Sequence, residues 1–267
     1  MLPPPGEALK EYDNTKRYNQ QAPSIPQIFL DAMSVREEVF GEQGIPLEIE
    51  FDADDARSWH WVVYASVAST AVSPSSELSQ TSSTKTDDAR RTSASASRVP
   101  VGTVRLIPPP HGPNPYLQTA KPARDKHPDA DPPPALHVEK KHPSEPYIKL
   151  GRLAVLSEYR SLGLSKLLVN AALDYASKHA ETILPPPPPT TVEKANIRGK
   201  DDFPVWNGLT MVHAQVDVAA IWAKNGFAEE LVNERGEVEV HREDHWAEEG
   251  IEHLGMWKRI HVDAGRL

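Results

Sequence analysis

The stretch Tyr147-Ile-Lys-Leu-Gly-Arg-Leu-Ala-Val-Leu-Ser-Glu-Tyr-Arg-Ser-Leu-Gly-Leu-Ser-Lys-Leu-Leu-Val-Asn-Ala-Ala-Leu-Asp-Tyr-Ala176 decides the fold. Ile148 to Leu156 is short and apolar, as a buried strand is, whereas Leu164, Leu167, Leu168, Ala171, Ala172 and Tyr175 recur at helical spacing. Between them lies Arg160-Ser-Leu-Gly163-Leu-Ser165. A helix opening there aims its free N–H groups and the positive end of its dipole at an anion. Gly163 lets the backbone approach closely, and Arg160 adds charge-assisted hydrogen bonds. The turn is therefore read as the seat of a pyrophosphate-bearing ligand. It has neither the Walker lysine pattern nor a dinucleotide glycine triplet, which counts against a nucleotide or sugar-phosphate binder.

The strand in this stretch changes phase. Ile148 and Leu150 put apolar residues on even positions, whereas Leu153 and Val155 favour odd ones. A bulge near Gly151-Arg152 produces that change and leaves backbone groups free for a ligand. Because Ala154 and Leu156 are apolar too, a strand buried on both faces accounts for the pattern as well.

Outward from this unit, 267 residues allow one large domain or two small ones. A net charge of −9 argues against a nucleic-acid binder held by phosphate contacts and suits a cationic or neutral substrate. The absence of cysteine excludes disulfides, iron–sulfur clusters and a cysteine nucleophile. Histidines cluster from His111 to His142 without ligand spacing, so no metal site is expected. With no apolar run of about 18 residues and no basic-then-apolar start, no membrane is involved and a cytoplasmic or nucleocytoplasmic placement is expected.

Three tracts read as insertions into a single domain covering 1–267. Ala68 to Arg98 is Ser/Thr/Ala-rich, Pro108 to Pro146 is rich in Pro, His, Lys and Asp, and Ile183 to Pro204 contains the run Pro185 to Pro189. Between them the pattern predicts a helix over Pro26 to Glu42 with Ser24 as a candidate cap, and strands at Trp59 to Val67, Val99 to Ile107, Leu209 to Gln215, Phe227 to Val232 and Ile251 to Arg259. A short helix over Asp217 to Asn225 ends at Gly226, where a left-handed residue is wanted. The class is α/β of the α+β kind: a mostly antiparallel sheet flanked by helices, with one strand–helix–strand unit at its centre.

These residues resemble the GNAT superfamily of N-acetyltransferases, whose turn has the form Gln/Arg-x-x-Gly-x-Gly/Ala; Ser165 departs from its last position. Further matches are Asn225-Gly226-Phe227 after Trp222-Ala-Lys, Arg36-Glu-Glu-Val-Phe-Gly-Glu42-Gln43-Gly44, Val101-Gly102-Thr103-Val-Arg105, His213-Ala-Gln215 and Glu249-Gly250-Ile251-Glu252-His253, which are similar to the ElaA/YjcF-like branch. The resemblance implies acetyl-CoA as cosubstrate. Pantetheine would lie along Leu153, Ala154 and Val155, and pyrophosphate on Arg160, Ser161, Leu162, Gly163, Leu164, Ser165 and Lys166. Gln215 stands where many relatives carry an Asn that contacts the cofactor. The acceptor is expected to be a primary amine of a small molecule or peptide, and pairing into a homodimer is a further implication.

Acetyl transfer needs a group to take the amine's proton and one to protonate the thiolate. The acidic run Glu42, Glu48, Glu50, Asp52, Asp54 and Asp55 lies where the superfamily shapes its acceptor pocket, and Glu42 is the first choice, followed by His213 and His253. Arg105 either steers an anionic group or pairs with the acidic loop. Trp222 stands at the position where many relatives carry an acidic Tyr, and indole is no useful acid. Its presence, with Ser165, keeps open a CoA-binding module without catalysis.

Overall fold

The computed structural model describes residues 1–68, 96–112, 114–117, 143, 145–185 and 205–263. Its helices are α1 (Gln27–Gly41), α2 (Leu164–Lys178), α3 (Ala180–Ile183) and α4 (Ala219–Lys224). The strands are β1 (Trp59–Ala68), β2 (Ala96–Ile107), β3 (Ile148–Val155), β4 (Leu209–Gln215), β5 (Leu231–Val232), β6 (Val238–Val240), β7 (Trp246–Glu248) and β8 (Ile251–Arg259). Among the described residues, six strands form one sheet in the order β1-β2-β3-β4-β8-β7, and β5 with β6 forms a separate ribbon. Within the six-stranded sheet β3 and β4 run parallel and the other neighbours are antiparallel.

The apolar stripe of α2 explains its seat. Leu168, Val169, Ala172, Leu173 and Ala176 bury against Val104, Leu106, Ile148, Leu150, Val212 and Met256 on one face of the sheet. On the opposite face α1 packs Val35 and Val39 on Ala154, and Phe29 and Met33 on the N-terminal residues Leu9, Tyr12 and Ile25. That N-terminal segment, also tied to β1 by a Leu2–His60 bridge, has no strong periodicity and escapes a pattern reading. Ser24 does not cap α1; its hydroxyl donates to Glu11 Oε2 at 2.6 Å, and Pro26, which has no N–H to satisfy, stands at the cap position.

The phase change in β3 is a bulge. Arg105 pairs with Gly151 and Thr103 with Ala154, so three steps along β3 answer two along β2, and Arg152 takes the left-handed φ of 52°. Past it, Leu153 and Val155 pack into the same core as Ile148 and Leu150, while Ala154 turns to α1. The β3–β4 ladder then stops. It runs from Ile148–Thr210 to Leu150–Val212 although the strands continue to Val155 and Gln215, so the centre of the sheet forks.

Three outcomes differ from the pattern reading at the C-terminal end. The helix over Asp217 to Asn225 is a 3-10 turn at Val216–Val218 followed by α4. The strand over Phe227 to Val232 shrinks to β5 and one bridge, Ala228–Trp257, while β6 and β7 are too short to have shown a period. Gly226 has a φ of 83° and ends α4 as expected. The three insertion tracts fall mostly outside the described residues. At their described flanks, Ala96 to Arg98 belongs to β2, Asn114 is buried, and Ile183 is helical and buried.

The loop after α1 is held by buried charge. Arg36 Nη1 donates to Asp55 Oδ1 at 2.8 Å, and its Nη2 reaches the Glu50 carbonyl. Arg105 Nη1 donates to both Asp52 and Asp55, at 2.7 and 2.8 Å. Arg36, Glu50 and Asp55 are essentially inaccessible to water, so removing one partner leaves its opposite charge stranded in a poor solvent. Arg36→Leu is expected to lower stability by about 3–5 kcal/mol, read as a lower urea midpoint with an unchanged slope.

Candidate functional site

The fork and the turn that follows it form one continuous path. From Gly151 onward the edge of β3 facing β4 has no ladder partner, and its end runs into the turn before α2. There Ser161 and Gly163 both take left-handed conformations, φ 66° and 77°, which fold successive backbone N–H groups to one side. Helix α2 has no side-chain cap and no acidic residue in its first turn, so its opening N–H groups and dipole face outward. A side chain at Gly163 would meet nothing within 4 Å, so space for an anion lies above it. Arg160 is exposed beside this space, and its Nε donates to the Val155 carbonyl at 3.1 Å. Leu162 and Lys166 are exposed, whereas Leu164 and Ser165 are half-buried. A pyrophosphate therefore fits this turn, and an extended amide-bearing chain fits the open edge at Leu153, Ala154 and Val155.

Gln215 ends β4 on the far side of the fork. Its Nε2 donates to Gln43 Oε1 at 2.7 Å, joining the strand to the loop after α1. Glu42, next to Gln43, is exposed. Glu48 is exposed too, whereas Glu50, Asp52 and Asp55 are engaged by Arg36, Arg105 and Arg152, and Asp54 pairs with Arg57 at 2.7 Å. Of the two readings of Arg105, the ion pair is the observed one. Arg152 links this lattice to the bulge, its Nη2 donating to Asp52 Oδ2 at 3.1 Å and to the Ile49 carbonyl at 3.2 Å.

On the face opposite α2, at the root of the fork, lies a cavity of about 240 Å³ lined by Asp54, Arg57, His111, Tyr147, Lys149 and His213, among others. Lys149 precedes the last β3–β4 pair by one residue and His213 follows it by one. Their Nζ and Nδ1 atoms are 2.8 Å apart. His213 also packs edge-on against Trp246 at 4.6 Å. His253 is one strand away: it pairs with Gln215 in register, stacks near Trp246 and holds the Ile251 carbonyl with Nδ1. Thus the structure brings His213 to the cavity beside the fork, puts His253 along the neighbouring strand, and leaves Glu42 on the surface near Gln43. Lys149 was missed because its only signal in the sequence was a lysine inside an otherwise apolar strand.

Trp222 is buried in the α2-side core against Phe227, at a centroid distance of 5.3 Å, and acts there as packing.

The sequence over residues 53–184, from the acidic loop to α3, matches the family model described as Acetyltransferase (GNAT) family. The chain is a member of the GNAT superfamily. Membership puts this GNAT protein among the transferases that take an acyl group from a CoA thioester. None of the curated proteins matches the sequence. Among solved structures, it is similar to an acyl-CoA N-acyltransferase from Pseudomonas aeruginosa, with 15% identity, 91% of this chain and 95% of that one covered, and a TM-score of 0.40. ElaA from Escherichia coli gives 14% identity, the same 91% and 95% coverage, and a TM-score of 0.37. Among the described residues, no helix is long and apolar enough to cross a membrane.

Burial keeps two imidazoles neutral here. His60, whose Nε2 donates to the Asp55 carbonyl at 2.9 Å, and His111 in the cavity both have pKa values pushed down to about 4, chiefly by desolvation. The unfolded chain binds those protons near pH 6.5, so stability is lost as pH falls from about 6.5 towards 4. Urea unfolding across that range should show the slope, and His60→Gln with His111→Gln should flatten it.

Proposed function

We propose that this GNAT protein is an acetyl-CoA-dependent N-acetyltransferase that transfers acetyl to a primary amine of a small molecule or peptide by direct attack on the thioester. One observation carries the reading: a bulged, forked β3 leads straight into an uncapped helix N-terminus with two left-handed residues in its approach. The open edge at Leu153, Ala154 and Val155 pairs with the amides of pantetheine. Arg160, Ser161, Leu162, Gly163, Leu164, Ser165 and Lys166 hold the pyrophosphate through backbone N–H groups, the helix dipole and the Arg160 charge. Gln215 closes the far side of the fork. Acetyl-CoA supplies the activated acyl carbon, and an N–H of the bulged segment offers its oxygen a donor.

The amine acceptor enters by the cavity at the root of the fork. Of Glu42, His213 and His253, His213 is the residue with a place on that cavity, and proton handling is assigned to the groups that line it. A second reading, a CoA-binding module without turnover, is favoured by one observation, the burial of Trp222 in the core.

Thiol release with acetyl-CoA across polyamines, amino sugars, amino acids and peptides separates the two readings. Turnover supports the enzyme, and tight CoA binding without turnover supports the silent module. CoA at one hundred times its Kd should raise stability by about 2.7 kcal/mol. Arg160→Glu should weaken CoA about 10- to 100-fold without weakening pantetheine, measured by calorimetry.

A further inference from the structure

Lys149 is a lysine on the central strand of the sheet, with its amine on the cavity at the point where β3 and β4 part. Its Nζ is 2.8 Å from His213 Nδ1. A ring nitrogen that accepts from Nζ occupies one of the amine's hydrogens and leaves the lone pair of neutral lysine free. Two residues along the strand begins the bulge whose freed backbone faces the proposed thioester. The acidic residue lining the cavity, Asp54, is paired with Arg57, and arginines engage Glu50, Asp52 and Asp55 in the loop beside it. No acid stands at Trp222 either.

We propose that Lys149 carries the proton in acyl transfer, with His213 as the positioning residue that holds Nζ at the fork. The proposal rests on the acetyltransferase reading above. The amine nitrogen bonds to the acyl carbon, and one of its N–H protons passes to the neutral Lys149 Nζ. As the C–S bond breaks, the resulting ammonium returns that proton to the departing sulfur. Amide and thiol leave, and Lys149 is neutral again.

The surroundings suit a group that must cross between its two forms near neutral pH. Burial, reinforced by the Arg105 charge on β2, pushes the Lys149 pKa down to about 8, and attraction to Glu248, Asp54 and Glu243 opposes the fall. Arg57, also on the cavity, is tied to Asp54 and to the Pro108 and Pro110 carbonyls. His111 donates or accepts at the Tyr147 carbonyl and stays uncharged at neutral pH. An amine of pKa near 8 matches a thiol of ordinary pKa about 8.5 as proton donor.

Two measurements test this. In the CoA-free protein, NMR of lysine side chains labelled at Cε and Nζ, with the Lys149 signal assigned by its loss in Lys149→Arg, should show titration near pH 8. Titration above about 10 would overturn the proposal. With CoA and an accepted amine, kcat/KM should rise through pH 8 in the wild type. Lys149→Met and Lys149→Arg should both lose at least 100-fold in kcat while keeping CoA affinity and thermal protection, because arginine preserves the charge but cannot give up its proton. An active Lys149→Arg variant, or an unchanged pH profile in Lys149→Met, sinks the proton-carrying role while leaving the acetyltransferase reading intact. Failure of the wild type to turn over any amine sinks both.

Discussion

Everything at the site depends on the lattice of Arg36, Arg105 and Arg152 with Glu50, Asp52 and Asp55. It draws members from α1, β2, β3 and the loop after α1. Desolvating so much charge is costly, and the arrangement persists because Asp52 and Asp55 each meet more than one donor. The coulombic pull of Arg105 and Arg36 holds the Asp55 carboxyl well below its ordinary range despite its burial. What the lattice secures is geometry: Arg152, at the bulge, cannot slide along β2 without breaking contacts to Asp52 and the Ile49 carbonyl.

The fork and the cradle solve different halves of one problem. A flat sheet would pair β3 with β4 along their whole length and leave no backbone group for a ligand. The bulge aims the strand, the short parallel ladder lets β4 diverge, and the Gln43–Gln215 contact joins the end of β4 to the loop beyond α1. Close packing supports the same place from behind: a side chain at Gly102 would press on Val63, Leu168 and the Ala154 carbonyl, so β2 approaches the bulge only because that residue has no side chain.

The parts of this arrangement written in periodicity were legible. The strand–turn–helix order, the phase change at Gly151-Arg152 and the apolar stripe of α2 survive in the fold because a hydrophobic pattern dictated each, and Gly226 after α4 because a left-handed φ of 83° favours glycine. The short strands β5, β6 and β7 were not legible, since two or three residues carry no period. Charge was legible only in part. Pairing of Arg105 with the run from Glu42 to Asp55 was one of two readings, whereas the partners Arg36 and Arg152, 14 and 100 residues away from theirs in sequence, left no local trace. Lys149 was hidden by the same limit, for its significance comes from His213 on a strand 64 residues later.

The bond from Arg160 to the Val155 carbonyl means that the resting turn partly satisfies itself. A ligand laid along the end of β3 does not gain that carbonyl freely; it competes with a guanidinium that must swing away, and the guanidinium recovers its loss only by meeting an anion. Backbone recognition and phosphate recognition are thereby made interdependent. At the proposed CoA site, a molecule offering only the chain, or only the phosphates, would face half an exchange, so that site as proposed favours ligands in which both are joined at the right separation.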